Sequence, residues 1–180
     1  TLIIPQGLYE SQSKISFKFY DRASKHNYIE FGHIVVDIAR RVENGMMLAF
    51  GSYELIQNCF KQWKILPYKK GPKTIFQELE SLKSIYKEHK RVRDLKPTMD
   101  AFFKDAETKR GAIMCCVCRG KISEGIDFAD NKARAVVMIG VPLANFSSVE
   151  VQSKREFLNL KRKVNNRQGF LEMSGIFRML

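Results

Sequence analysis

Residues 115–142 read CCVCRGKISEGIDFADNKARAVVMIGVP, and two incompatible chemistries can be read into them. Three cysteines in four positions invite a metal cluster. The basic, acidic and glycine residues that follow invite a phosphate or nucleotide site. Geometry decides against the cluster. Cys115 and Cys116 are neighbours, so in an extended chain their side chains leave on opposite faces and cannot converge on one ion. Apart from Cys118, the remaining cysteine is the distant Cys59, and the composition is not that of a short, loop-rich disulfide framework. The thiols are therefore expected in the core, where free cysteine is common.

The run AIMCCVC then reads as a buried strand, and CRGKISEG as the loop that follows it. Arg119 and Lys121 bring positive charge, Gly120 and Gly125 allow close backbone approach to a phosphate, and Ser123 adds a hydroxyl. Glu124 and Asp127 are acceptors suited to hydroxyls, to a cation or to a basic residue of a facing domain. A turn with solvated charges accounts for the same residues, so the loop alone leaves both readings open. Asp130 and Asn131 form a turn signal before the next strand candidate, ARAVVMIG.

Upstream, Phe31, Ile34, Val35, Ile38 and Val42 follow helical spacing across Tyr28–Val42, and Asn44-Gly45 stands where a left-handed cap would end the helix. MMLAF, residues 46–50, is a continuous apolar run of strand length, and a helix is expected from Tyr53 to about Trp63. KTIFQ, residues 73–77, reads as another short strand. Glu78–Arg91 reads as a helix with Leu79, Leu82, Tyr86 and His89 on one face. Pro97 can open the next helix, up to about Glu107, where TKRG breaks it. Val149–Lys163 reads as a charged helix with Val151, Phe157 and Leu158 inward and a Glu150–Lys154 pair supporting it. Strands alternating with helices predict an α/β fold with a parallel sheet covered on both faces, whose ligands bind in the loops beyond the carboxyl ends of the strands.

The 180 residues fit one globular domain, and 44% hydrophobic with 28% charged residues is the composition of a folded protein with a real core. No apolar run approaches the length of a membrane span, and TLIIPQGLYESQ lacks the features of a secretory signal, so an intracellular chain without a membrane partner is expected. Lys and Arg number 31 against 19 Asp and Glu, a formal charge of +12. That field favours a polyanion without choosing among nucleic acid, an acidic membrane and an acidic protein. The basic residues Lys154, Arg155, Lys161, Arg162 and Lys163 fit a solvated helix face as well as a DNA contact. Glu30 and His33 make a single Glu-x-x-His where a di-iron site needs two, the three histidines are scattered, and no bound metal is expected in this chain.

The longer pattern is more specific than the loop. VCRGKISEGIDFADNKARAVVMIGVP resembles helicase motif V and its following strand in the iron-sulfur superfamily 2 DNA helicases, the group of the xeroderma pigmentosum group D, Fanconi anaemia group J and RTEL-type proteins. The matching positions are Arg119, Gly120, Lys121, Ser123, Glu124, Gly125, Asp127, Phe128, Asp130, Arg134, Gly140 and Pro142. NGMMLAFGSYELIQNCFKQWK resembles motif IV of the same family, a buried strand leading to Ser52 and Tyr53 at the start of a helix, with Gly51 where the family has proline. VEVQSKREFLN is most similar to the Fanconi anaemia group J and RTEL branches, and the resemblance covers roughly Phe17 to Leu160.

The resemblance implies a RecA-like helicase C-terminal motor domain over residues 17–180, ending before motif VI, with residues 1–16 as a tail or interdomain connector. No catalytic set is complete within it. It implies that Ser123, Glu124, Gly125 and Asp127 line the ATP cleft and couple nucleotide state to DNA grip. Ser52, Tyr53, Arg119 and Lys121 would face the DNA backbone. Ser52 reads equally well as a helix cap, and Tyr53 as core. The implied whole is a nuclear, ATP-dependent DNA helicase of repair or genome maintenance, moving 5′ to 3′ on single-stranded or forked DNA. ATP and Mg2+ would be held mainly by a first motor domain of the same protein, which would also carry a 4Fe-4S cluster, and this chain alone is expected to be inactive. The competing expectations are a catalytically inactive nucleic-acid-binding module and a generic α/β enzyme. The latter is disfavoured because no nucleophile, base and orienting group can be picked out together.

Overall fold

The computed structural model of the chain describes residues 3–4, 7, 14–17, 21, 24–89, 95–140 and 148–161. Pro142, Arg162, Lys163, most of the 1–16 segment and the end toward Leu180 lie outside these residues, as do the side chains of Glu124, Gly125, Leu160 and Lys161. In chain order the elements are α1 (Lys25–Arg41), β1 (Gly45–Phe50), α2 (Tyr53–Trp63), α3 (Ile75–Leu82), β2 (Ser84–Lys87), α4 (Leu95–Ala106), β3 (Ala112–Val117), α5 (Lys121–Gly125), a 3-10 turn (Asp130–Lys132), β4 (Ala135–Ile139) and α6 (Val149–Lys161). Two units are distinguished, Thr1–Val141 with the whole sheet and Pro142–Leu180 with α6.

The four strands are parallel, in the order β2-β3-β1-β4. β1 and β3 occupy the centre because every one of their residues is buried, as a continuous apolar run requires of a strand covered on both faces. The pleat sends alternate residues into two separate cores. Met46, Leu48, Phe50, Ile113 and Cys115 pack with Tyr28, Phe31, Val35 and Trp63 beneath α1, α2 and α3. Met47, Ala49, Met114 and Cys116 pack with Met99, Phe102 and Ile122 beneath α4 and α5.

Cys115 and Cys116 therefore lie on opposite faces of the sheet, in different cores, and Cys59 is buried in the first. Burial pushes all three thiols up, Cys116 to about 12, which removes the thiolate that alkylation needs. Treated with a small alkylating reagent under native conditions, the half-buried Cys118 is expected to react first and the other three only on unfolding. Prompt labelling of Cys115 or Cys116 would contradict the two-core packing.

The structure corrects the reading of residues 73–91. KTIFQ is not a strand: Thr74 caps α3 through a capping box, its hydroxyl accepting from Gln77 N at 3.2 Å and its own N–H donating to Gln77 Oε1 at 2.9 Å. The helix expected to run to Arg91 stops at Leu82. Residues 84–87 extend instead and pair with β3 from Ser84–Ala112 to Lys87–Cys115. Pairing with a buried strand overrides the helical spacing of Leu79, Leu82, Tyr86 and His89. Tyr86 turns to donate to Asp105 Oδ2 of α4 at 2.8 Å.

Other departures are smaller. The left-handed residue after α1 is Asn44, with φ 60°, while Gly45 already belongs to β1. Helices cover both faces of the central strands as expected, and among the described residues Val136 and Met138 of the edge strand β4 are 59% and 50% exposed. On α6 the Glu150–Lys154 pair forms at 2.7 Å, but Phe157, expected inward, is 57% exposed. At the start of the chain, Ser16 N–H donates to Asn27 Oδ1 at 3.2 Å, and Phe17 packs edge-on against Tyr28 and Phe31.

Candidate nucleic-acid and nucleotide-coupling edge

The nucleotide-coupling and DNA-facing residues implied by the motif resemblance, Ser52, Tyr53, Arg119, Lys121, Ser123, Glu124, Gly125 and Asp127, sit in the two segments that follow the central strands. The turn after β1 carries Gly51, Ser52 and Tyr53, and the loop after β3 carries Arg119 to Asp127. Because β1 and β3 are adjacent and parallel, both loops open at the same carboxyl edge of the sheet. Cys118 N–H donates to Phe50 O at 2.7 Å, extending the ladder into the β3 loop.

Ser52 is the N-cap of α2, and its hydroxyl accepts from Leu55 N at 3.2 Å. Gly51 is exposed, with nothing within 4 Å of where a side chain would start. Tyr53 opens the helix half-buried, and its hydroxyl donates to Glu88 Oε1 at 2.8 Å. Burial first, and then the hydrogen bond and charge of Glu88, push this phenol up to about 12.

Beyond β3 the chain turns sharply. Gly120 N–H donates to Val117 O at 2.9 Å, with Arg119 in the left-handed region at φ 61°. A residue other than glycine held there marks a turn that its surroundings determine strongly. Ser123 Oγ accepts from Gly120 N at 2.9 Å, and its hydrogen is shared between Val117 O at 3.0 Å and Gly120 O at 3.1 Å. The serine hydroxyl thus shapes the loop. Arg119, Lys121 and Asp127 are exposed, and Lys87 at the end of β2 adds a further exposed cation to the same edge. Phe128 returns the chain to the core against Phe102 and Phe103 of α4.

Glu88 was not recognised in the sequence, where it fell inside an expected helix. It follows β2, is 4% exposed, and its backbone N–H donates to Cys115 O at 2.8 Å. Its carboxylate accepts three hydrogen bonds: from Tyr53 OH, from Lys121 N at 3.2 Å on the same oxygen, and from Val117 N at 2.8 Å on the other. A side chain at Gly120 would begin 2.9 Å from both carboxylate oxygens and 2.7 Å from Val117 O, so only glycine lets the loop close over it. The available signal was a lone acidic residue at the end of a β-branched and aromatic run, SIYKE, and that run was read with the wrong period.

Among the described residues, no group of three or more His, Cys, Asp or Glu is placed to hold a metal ion. The cysteines do not suit an iron-sulfur cluster either, because Cys115 and Cys116 are divided by the sheet and burial keeps their thiols protonated.

The profile of the helicase C-terminal domain family matches residues 35–176. The chain is 28% identical over 160 residues, 89% of its length, to the Regulator of telomere elongation helicase 1 homolog of Drosophila persimilis. It is 30% identical over 148 residues, 82% of its length, to the homologs of Drosophila mojavensis and Drosophila melanogaster. It spans only 14–15% of the length of these relatives. Two solved structures share the fold. Apo XPD has a TM-score of 0.52 at 18% identity, over 87% of this chain and 28% of that one. Xpd4 of S. tokodaii has a TM-score of 0.51 at 13% identity, over 96% and 33%. With the parallel sheet and the motif loops placed at one edge, the profile match over residues 35–176 shows that the chain belongs to the helicase C-terminal domain family.

Proposed function

We propose that this chain is part of the second motor domain of an ATP-dependent DNA helicase, and that the complete protein moves 5′ to 3′ on single-stranded DNA in nuclear genome maintenance. The observation that carries the reading is the side-by-side placement of the Ser52–Tyr53 turn and the Arg119–Lys121 loop at the carboxyl edge of a parallel sheet. Arg119 and Lys121 supply cations for phosphate oxygens, and the hydroxyl of Ser52 lies at the neighbouring turn. Ser123, Glu124, Gly125 and Asp127 continue the same loop toward the cleft where a first motor domain would close. ATP and Mg2+ would supply the phosphoryl chemistry from that first domain. Here the loop would sense nucleotide state through its backbone shape, which Ser123 maintains. Any iron-sulfur cluster belongs to another part of the protein, since these thiols do not suit one.

The test is single-stranded DNA binding by the complete protein as a function of salt. Changing Arg119 and Lys121 to alanine should weaken binding about tenfold and reduce the log-log salt slope by about 1.4, the share of two phosphate contacts on a single strand. Unchanged affinity and slope would remove the DNA-facing role of the loop.

A further inference from the structure

We propose that Glu88 is a positioning residue that fastens the loop after β3 to the turn after β1, so that Arg119 and Lys121 are held in place to meet the DNA strand. The inference rests on the DNA-facing role proposed above and adds to it a residue that touches no phosphate.

The geometry of the carboxylate argues for it. Its three donors come from the first turn of α2, the last residue of β3 and the first residue of α5, which are 35, 29 and 33 positions away in sequence. Its own backbone is held by the hydrogen bond from Glu88 N–H to Cys115 O, so the side chain reaches both loops from a third fixed strand. The Val117 N–H is buried and would otherwise need another partner at the end of the ladder.

All three partners donate, and this explains why an acid stands here. A carboxylate is acceptor-only and has room for them, whereas the isosteric amide of glutamine would set its own N–H2 against at least one donor. Bonds to an ionised acceptor are also the strong kind. A shift of either loop breaks a bond shared with the other. Gly120, which alone fits over the carboxylate, lies between the two exposed cations of the loop. The position of Arg119 and Lys121 is therefore set by a side chain in a different element.

The experiment compares variants of the complete protein by fluorescence anisotropy with labelled single-stranded DNA, with thermal unfolding followed in parallel. Glu88→Gln is expected to raise Kd about tenfold, close to the effect of the Arg119→Ala/Lys121→Ala double variant. Tyr53→Phe, which keeps the ring and removes one of the three bonds, should raise it about threefold. Added to the double variant, Glu88→Gln should change Kd by less than about twofold, because the groups it positions are already gone. If Glu88→Gln does not fold, Tyr53→Phe decides by the same pair of comparisons. The inference is overturned if Glu88→Gln binds DNA as the parent does, or if its full effect persists in the double variant. If the double variant itself binds normally, the DNA-facing reading falls and takes this inference with it.

Discussion

Replacing Trp63 with alanine is expected to destabilise the Thr1–Val141 unit by about 3–5 kcal/mol, the range for removing a large aromatic from a packed core. Trp63 ends α2 at 1% exposure, and its ring packs 5.3 Å from that of Phe31 and 6.5 Å from that of Phe60. Its indole N–H donates to Tyr28 O at 2.9 Å, tying α2 to the first turn of α1. At Gly32 an added Cβ would sit 2.8 Å from both Trp63 Nε1 and Ile75, so α1 has approached as closely as its backbone allows. A rigid contact of that kind relaxes little, and the cavity left by the indole would stay largely open. Against a total stability of about 5–15 kcal/mol, this one substitution takes a large share. Urea unfolding should show a lower midpoint with an unchanged slope. A loss below about 1.5 kcal/mol would mean that α1, α2 and α3 do not close around this ring.

Gly111→Ala should cost about 2–5 kcal/mol, combining the penalty for a left-handed alanine with that for overpacking. Gly111 precedes β3 with φ 73°, and a Cβ there would lie 2.1 Å from Asn44 O and 2.6 Å from Lys83 Nζ. Neither atom can move aside. Asn44 O accepts from Ala112 N at 3.2 Å and from Lys83 Nζ at 2.8 Å, at the point where β1 begins. Lys83 is 2% exposed, and burial pushes its ammonium below the usual lysine range. Its charge is spread over main-chain carbonyls at the amino ends of β1 and β3, a structural counterpart to the Glu88 carboxylate at the carboxyl ends. Gly51→Ala is the matched comparison: nothing lies within 4 Å of the added methyl, and the change should be neutral or stabilising by up to about 1 kcal/mol. Equal effects at the two glycines would rule out the strand-start geometry described here.

The order of the central elements was legible because it depends on local pattern. MMLAF and AIMCCVC are apolar without interruption, which only a strand buried on both faces tolerates, and the neighbouring pair Cys115-Cys116 had to divide between two cores. The caps of α2 and α3 are equally local: Ser52 reads as a cap, and Thr74 with Gln77 three residues later is a capping-box signal inside the run KTIFQ that reads as a strand. β2 was not legible: its four residues have an ambiguous period, and they became a strand only because β3 offered an open edge to pair with.

By itself, then, the sequence determined the two central strands, the fate of the thiols and the position of the motif loop directly behind β3, since each follows from spacing within about ten residues. Tertiary structure alone decided the identity of β2, the burial of Lys83 and the role of Glu88. The last two are charged groups removed from water, and such burial is tolerable only when several hydrogen-bond partners are already in place. For Glu88 those partners are supplied by segments 29 to 35 residues distant, and no local pattern announces them.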